Sequence, residues 1–179
     1  IHCDYEYHRC SSSLSQISDA GFDLYLIKNG KYEFMHCFYP STEDEVLDME
    51  GVISDSDEIR EYALYLPLFS TISDFDIGVL KGSVIEKSKD IKERKKLLVY
   101  GSSISQGACA SRPGITYAAI TARRMGFELF NCGYSGNCRG KLIIADEFAK
   151  KDFDCFIYEY DHNAPDLDFL RKTHKQFYD

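Results

Sequence analysis

The sequence predicts an α/β domain on a parallel sheet, preceded by a β-rich region. Three observations carry this expectation. Short apolar runs at Leu97–Tyr100, Phe127–Asn131 and Phe153–Tyr158 each lead into a polar turn. The intervals between them carry apolar residues at helical spacing: Ile115, Ala118, Ala119, Ala122 and Met125, then Leu142, Ala145 and Ala149, widened by Ile143 and Phe148. Upstream, short strand-like runs separated by turn residues replace that alternation. Strands alternating with helices of this length read β-α-β-α-β and imply a parallel sheet. Such crossovers are almost always right-handed, so all three polar turns lie beyond the carboxyl ends of their strands.

In the upstream region, Phe22–Lys28 and Lys31–Cys37 flank Asn29-Gly30. That dipeptide is the strongest short hairpin signal, because both turn positions need positive φ. Val46–Val52, Tyr62–Leu66 and Phe75–Leu80 are further strand candidates, and the spacing suggests an antiparallel sandwich or part of one. The boundary is expected at Lys87–Lys96, where charge is dense, giving regions 1–90 and 95–179. The basic run Lys92–Lys96 reads as a solvated linker, and Ser11–Ser13 is too short for one. Most of the Tyr and Phe residues upstream are expected in sheet and core packing.

Composition narrows the classes of function. The chain has 179 residues, 44% hydrophobic and 28% charged, with net charge −8. That supports a packed core in one or two domains and argues against general disorder. The acidic balance disfavours a nucleic-acid partner. No apolar run approaches the ~20 residues of a membrane-spanning helix, and no secretory signal is visible. The seven cysteines are Cys3, Cys10, Cys37, Cys109, Cys132, Cys138 and Cys155. An odd number without a Cys-x-x-Cys pair gives poor support for a zinc site, and unpaired thiols suggest a cytoplasmic setting. Cys132 and Cys155 read as small buried hydrophobes. Cys109 and Cys138 flank the candidate site without an evident base.

The chemistry concentrates in the three polar turns. Gly101 ends the first strand, and Ser103 follows two residues later. A serine in a tight turn at the carboxyl end of a parallel strand points into the crevice where open α/β sheets bind ligands. Singly, Ser102, Ser103 and Ser105 also fit an ordinary turn. The second strand leads into Cys132-Gly-Tyr-Ser-Gly-Asn137 and the third into Glu159-Tyr-Asp-His-Asn163. Singly, Gly136 fits a turn glycine, and Asn163 fits the cap of a helix over Pro165–Tyr178. A serine, a glycine-rich turn and an Asp-His-Asn cluster on one rim are harder to obtain by chance.

These blocks resemble the SGNH (GDSL-type) hydrolases. Gly101-Ser-Ser-Ile-Ser-Gln-Gly107 is similar to the first block, Gly-Asp-Ser-x-x-x-Gly, with Ser102 in place of the Asp and the nucleophile position on Ser103. Asn131-Cys-Gly-Tyr-Ser-Gly-Asn137 is similar to the second block, whose oxyanion-hole glycine falls on Gly136. Tyr160-Asp-His-Asn163 takes the place of the third, Gly-x-Asn-Asp. Its oxyanion-hole asparagine falls on Asn163, while Asp161 and Ala164 depart from the pattern. Gly107-Ala-Cys-Ala-Ser-Arg-Pro-Gly114 resembles a bacterial subgroup whose N-terminal accessory domain carries Gly-x-Asp-Leu-Tyr, matched by Gly21-Phe-Asp-Leu-Tyr25.

The resemblance implies a flavodoxin-like three-layer domain, of which this chain holds the N-terminal part. It implies a serine esterase acting on small acyl esters, acetyl on carbohydrate among them, through an acyl-serine intermediate and with no cofactor. A serine hydroxyl needs an adjacent base. The developing oxyanion needs preorganised donors, here the Ser103 and Gly136 N–H groups and the Asn163 amide. The family's base is a histidine in an Asp-x-x-His block that this sequence does not contain. Its histidines are His2, His8, His36, His162 and His174. The ring of His162 is expected to point away, and His174 to lie on a helix surface. The sequence therefore reads as an internal fragment, nearly inactive alone. The expected partner is a small-molecule ester such as an acylated sugar, with the accessory region shaping the cleft or a homo-oligomer interface.

Two other readings stay open. A nucleotide or flavin binder would use the glycine-bounded loop Gly101–Gly107. A P-loop needs Gly-x4-Gly-Lys-[Ser/Thr], however, and here the second glycine comes one place late with Ala108 after it. A non-catalytic carbohydrate-binding protein on the same fold would explain Ser102 and the absent base.

Overall fold

The computed structural model describes residues 1–7, 13–41, 46–51, 58–88 and 94–179. His8, Cys10, Ser11, Ser12, Val52, Lys92 and Glu93 lie outside the described residues. The chain divides into two compact units. The first comprises Ile1–Asp90 with Cys109–Ile115, and the second Ile91–Ala108 with Thr116–Asp179. The segment Cys109–Ile115 thus belongs with the first unit, although its chain neighbours on both sides belong to the second.

The first unit holds two antiparallel three-stranded sheets. One is ordered β4 (Val46–Asp48), β1 (His2–Tyr7), β6 (Thr71–Asp76), and the other β3 (Lys31–Phe38), β2 (Phe22–Lys28), β5 (Glu61–Tyr65). A five-residue helix, α1 (Gln16–Ala20), precedes β2. Alternation sends Cys3 and Tyr5 from β1 and Phe22 and Leu24 from β2 into one core with Phe38 and Leu47. Phe22 stacks on Phe75 at 5.3 Å between ring centroids. The hairpin turns at Asn29 (φ 53°) and Gly30 (φ 72°), both positive as a two-residue type I′ turn requires.

Two upstream expectations need correction, and one strand was not expected. The strand expected at Phe75–Leu80 runs instead over Thr71–Asp76, because its ladder on β1 ends at the pair His2–Asp76. Leu80 beyond it is 85% exposed. The strand expected over Val46–Val52 spans only Val46–Asp48 among the described residues. His2–Tyr7 is a central strand that the sequence reading did not single out.

The second unit is the expected parallel sheet, ordered β8 (Glu128–Gly133), β7 (Lys96–Gly101), β9 (Cys155–Glu159). Leu97–Tyr100 are all buried, as expected of a central parallel strand covered on both faces. Leu97 and Val99 pack with Ala118 and Ala122 of α3 (Tyr117–Met125). On the other face Tyr100 packs with Cys138, Tyr160 and Phe177, supported by α4 (Leu142–Ala149) and α5 (Leu167–Tyr178). That makes three layers. Thr116 caps α3 by accepting from Ala119 N, and Gly126, left-handed at φ 69°, ends it.

The helical stripes are narrower than the sequence suggested. Met125 is 59% exposed, since α3 ends at that residue. On α4 the inward residues are Ile144, Ala145 and Phe148, while Leu142 and Ile143 in its first turn face solvent. No described helix is long and apolar enough to cross a membrane.

Candidate active site

Strand order β8-β7-β9 means that the chain leaves the central strand to one side and later returns to the other. The crevice between the ends of β7 and β9 is therefore a topological switch point, where open α/β sheets bind ligands. The register sets Gly101 level with Gly133 on one side and Glu159 on the other. The residues that follow these three positions build the site.

Ser103 begins α2 (Ser103–Gln106), capped by Ser102. It is half-buried rather than at the tip of an open turn. Ser102 and Ser105 are fully buried, and both bond to Glu159. Glu159 Oε1 accepts from Ser102 N (2.9 Å), Ser102 Oγ (2.8 Å) and Ser105 Oγ (2.6 Å). The Ser105 hydroxyl also meets Tyr117 OH at 2.6 Å. Burial pushes the Tyr117 hydroxyl up, the Ser105 bond opposes it, and the Glu159 charge adds a smaller push upward. Ser102 thus fills the place of the usual Asp as a cap and as a donor to Glu159. Neither Glu159 nor Ser105 stood out in the sequence. The available signal was a carboxylate on the last residue of a strand that pairs with a serine-rich turn.

The second turn is fastened to α2. Gln106 Oε1 accepts from Ser135 N (2.9 Å), and Asn131 Nδ2 donates to Ser105 O (2.9 Å). Gly133 admits no side chain, since a Cβ there would lie 2.3 Å from Gln106 N. Gly136 follows at φ 71°, in the left-handed region that favours glycine.

The third turn is fastened to the second. Asn163 lies in a 3-10 turn, Asp161–Asn163, and its Oδ1 accepts from Cys138 N (3.2 Å). Asn163 does not cap the last helix. Asp166 does, accepting from Phe169 N at 2.7 Å. Cys138 donates its thiol to Glu159 O and is fully buried, and burial first pushes that thiol up to about 11. It is a packing residue rather than a reactive group flanking the site. Hydrogen bonds thus join all three turns at one end of the sheet. Among the described residues, the Ser103 hydroxyl and N–H, the Gly136 N–H and the Asn163 Nδ2 have no protein hydrogen-bond partner.

The described histidines are engaged elsewhere. His162, on the surface, faces Asp161 at 3.9 Å; His174 stacks on Tyr158 at 4.5 Å; His36 packs edge-on to Phe38; His2 faces Asp4. No group of three His, Cys, Asp or Glu among the described residues is placed to hold a metal ion.

The first unit contains a second polar constellation. Asp23 lies on β2 with its side chain fully buried. Its Oδ2 accepts from Arg112 Nη1 (2.7 Å) and from Gly114 N (2.8 Å). Arg112 also donates to Tyr25 OH and lies 4.0 Å over the Phe34 ring. Gly114 has no room for a Cβ, which would meet the Tyr25 ring at 2.5 Å. The two strings singled out separately in the sequence, Gly21–Tyr25 and Gly107–Gly114, therefore meet in one ion-paired cluster. The signal was an aspartate inside an apolar strand, which calls for a buried cation.

A parallel sheet covered on both faces, with a serine turn at its switch point, is a flavodoxin-like three-layer α/β arrangement. Residues 94–177 match the GDSL-like lipase/acylhydrolase family, and residues 1–85 match the GxDLY model, the N-terminus of SGNH-hydrolase-type esterases. The chain belongs to the GDSL-like, SGNH-type hydrolases. A candidate GDSL-like lipase from Bacteroides ovatus ATCC 8483 is 32% identical, with TM-score 0.85, over 99% of this chain and 51% of its own. This chain thus spans about half the length of that protein. The salicylyl-acyltransferase SsfX3 of a tetracycline biosynthetic pathway shares the fold, at 17% identity and TM-score 0.60, over 87% of this chain and 42% of that one. No match to a curated protein was found.

Proposed function

We propose that the whole protein is a serine esterase for small acyl esters, acetyl groups on carbohydrate among them. Ser103 Oγ attacks the ester carbonyl carbon as a base takes its proton. The carbonyl π pair moves to oxygen, and the oxyanion is met by the N–H groups of Ser103 and Gly136 and by Asn163 Nδ2. Collapse expels the alcohol, which takes the proton back from the base. Water then repeats the sequence on acyl-Ser103. The proposal assigns the base to a histidine of the whole protein outside residues 1–179.

One observation carries this reading. The four groups that the chemistry needs lack protein hydrogen-bond partners among the described residues, while their neighbours Ser102, Ser105, Asn131 and Gln106 are bonded. Removing one oxyanion donor typically costs about 100- to 1000-fold in rate.

The test is a paired assay of the whole protein and residues 1–179 on an activated acetyl ester, with mass mapping of a serine-directed phosphonate. We expect turnover and a Ser103 adduct in the whole protein, and little of either in residues 1–179. Ser103→Ala should remove turnover by several orders of magnitude while moving stability by only about 0.5 kcal/mol. Comparable turnover by both forms would place the base within residues 1–179. Sugar binding by a folded whole protein without turnover on a panel of acyl esters would replace the esterase with a carbohydrate-binding protein.

A further inference from the structure

We propose that Glu159 is a positioning residue for Ser103, a role that rests on the esterase reading and deepens it. Three donors from the α2 turn converge on one oxygen, Oε1, and they come from the residue before Ser103 and from the second residue after it. The nucleophile is therefore held from both sides by a strand end. The Ser102 hydroxyl donates its proton to Glu159 and accepts from Ile104 N at 3.3 Å. The contact is closed to solvent on the serine side. Ser102 and Ser105 are fully buried, and a Cβ built on Gly101 would lie 2.2 Å from Ser105 Oγ and 2.7 Å from Glu159 Oε1.

The second oxygen, Oε2, is buried with no hydrogen-bond partner among the described residues. The fastening therefore runs through one acceptor at one distance from the backbone, which makes the reach of that oxygen the feature a positioning role requires. That separates a positioning role from an electrostatic or acid–base one. Glutamine carries the same acceptor at the same reach, aspartate is one methylene short, and alanine has neither.

The experiment uses the whole protein with Glu159→Gln, Glu159→Asp, Glu159→Ala and Ser105→Ala. It reads kcat and KM on an activated acetyl ester, the phosphonate inactivation rate, and amide hydrogen exchange over residues 102–107. Glu159→Ala and Glu159→Asp should lose about 100-fold in kcat, the order expected for a displacement near 1 Å. KM should stay within about threefold, and exchange over 102–107 should accelerate. Ser105→Ala, which deletes one of the three bonds, should lose about tenfold. Glu159→Gln should keep kcat within about fivefold, because the acceptor is retained.

Loss in Glu159→Gln equal to that in Glu159→Ala would overturn the proposal in favour of a charge-based role. Unchanged exchange over 102–107 in Glu159→Ala would overturn it whatever the activity. If Glu159→Ala does not fold, Glu159→Asp and Ser105→Ala carry the same comparison. A wild-type protein with neither turnover nor adduct would refute the esterase reading, while the exchange readout still decides whether Glu159 holds the turn.

Discussion

Asn163 is held by one end of its amide and left open at the other. Its Oδ1 shares the Cys138 N–H with Tyr134 O, and its Nδ2 has no partner among the described residues. Asn163→Ala removes both halves. It should lower kcat about 100- to 1000-fold, while Cys138 N–H keeps its bond to Tyr134 O. The two glycines of the second turn should separate steric from conformational need. At Gly136 a Cβ meets nothing within 4 Å, but φ is 71°, so Gly136→Ala should cost only about 1 kcal/mol in stability and keep its N–H. At Gly133 a Cβ would strike the Gln106 backbone, so Gly133→Ala should displace α2 and cost more in both stability and kcat. Urea unfolding and ester turnover of the two variants check this, and equal effects would contradict it. At this scale the sequence displays residue types and spacing, and the expectation for Ser103, Gly136 and Asn163 rests on those. It did not display what holds them, because Glu159, Ser105 and Gln106 act through contacts distant along the chain.

Elements were legible where a local rule decides them. Asn29-Gly30 fixed a hairpin, and the three apolar runs became β7, β8 and β9 within two residues of their expected ends. Elements misread were those set by a partner. β6 ends where its antiparallel partner β1 begins, and Met125 is outside because α3 stops there. The Asp23–Arg112 cluster belongs with these, since neither string alone specifies the other. Removing one member of a buried ion pair commonly costs about 3–5 kcal/mol, because the remaining charge is stranded. Arg112→Ala and Asp23→Ala should each destabilise the first unit on that order. The double variant should cost clearly less than the sum, a coupling that a double-mutant cycle in urea measures directly. Additive costs would show that Asp23 is satisfied without Arg112. Arg112→Lys should recover only part of the loss, because lysine keeps the charge but not the planar group over Phe34.

At the scale of the whole chain, the two units differ in architecture but share one alkaline liability. Each core buries acidic groups that must stay protonated. In the first unit Cys3 is fully buried, and burial first, then Asp4 and Asp74, push its thiol up to about 11. In the second, Cys138 is fully buried and also pushed up to about 11, by burial first and with Glu159 adding to it. Burial also pushes up the Tyr5 and Tyr100 hydroxyls, one in each unit. The unfolded thiol loses its proton near pH 9 while the folded one keeps it. Above that pH the unfolded state therefore binds fewer protons, and stability must fall as pH rises. The effect should be absent at pH 7. It should begin near pH 9 and approach about 2–3 kcal/mol per thiol by pH 11, two pKa units being worth roughly that much. Urea unfolding under reducing conditions at pH 7, 9 and 10.5 should show a declining midpoint for both units, and Cys138→Ala should flatten only the second unit's decline. A midpoint unchanged to pH 10.5 would show that these thiols ionise freely in the folded chain. Thiol alkylation at pH 8 should then modify Cys3 and Cys138 as fast as the exposed Cys109, instead of leaving them protected.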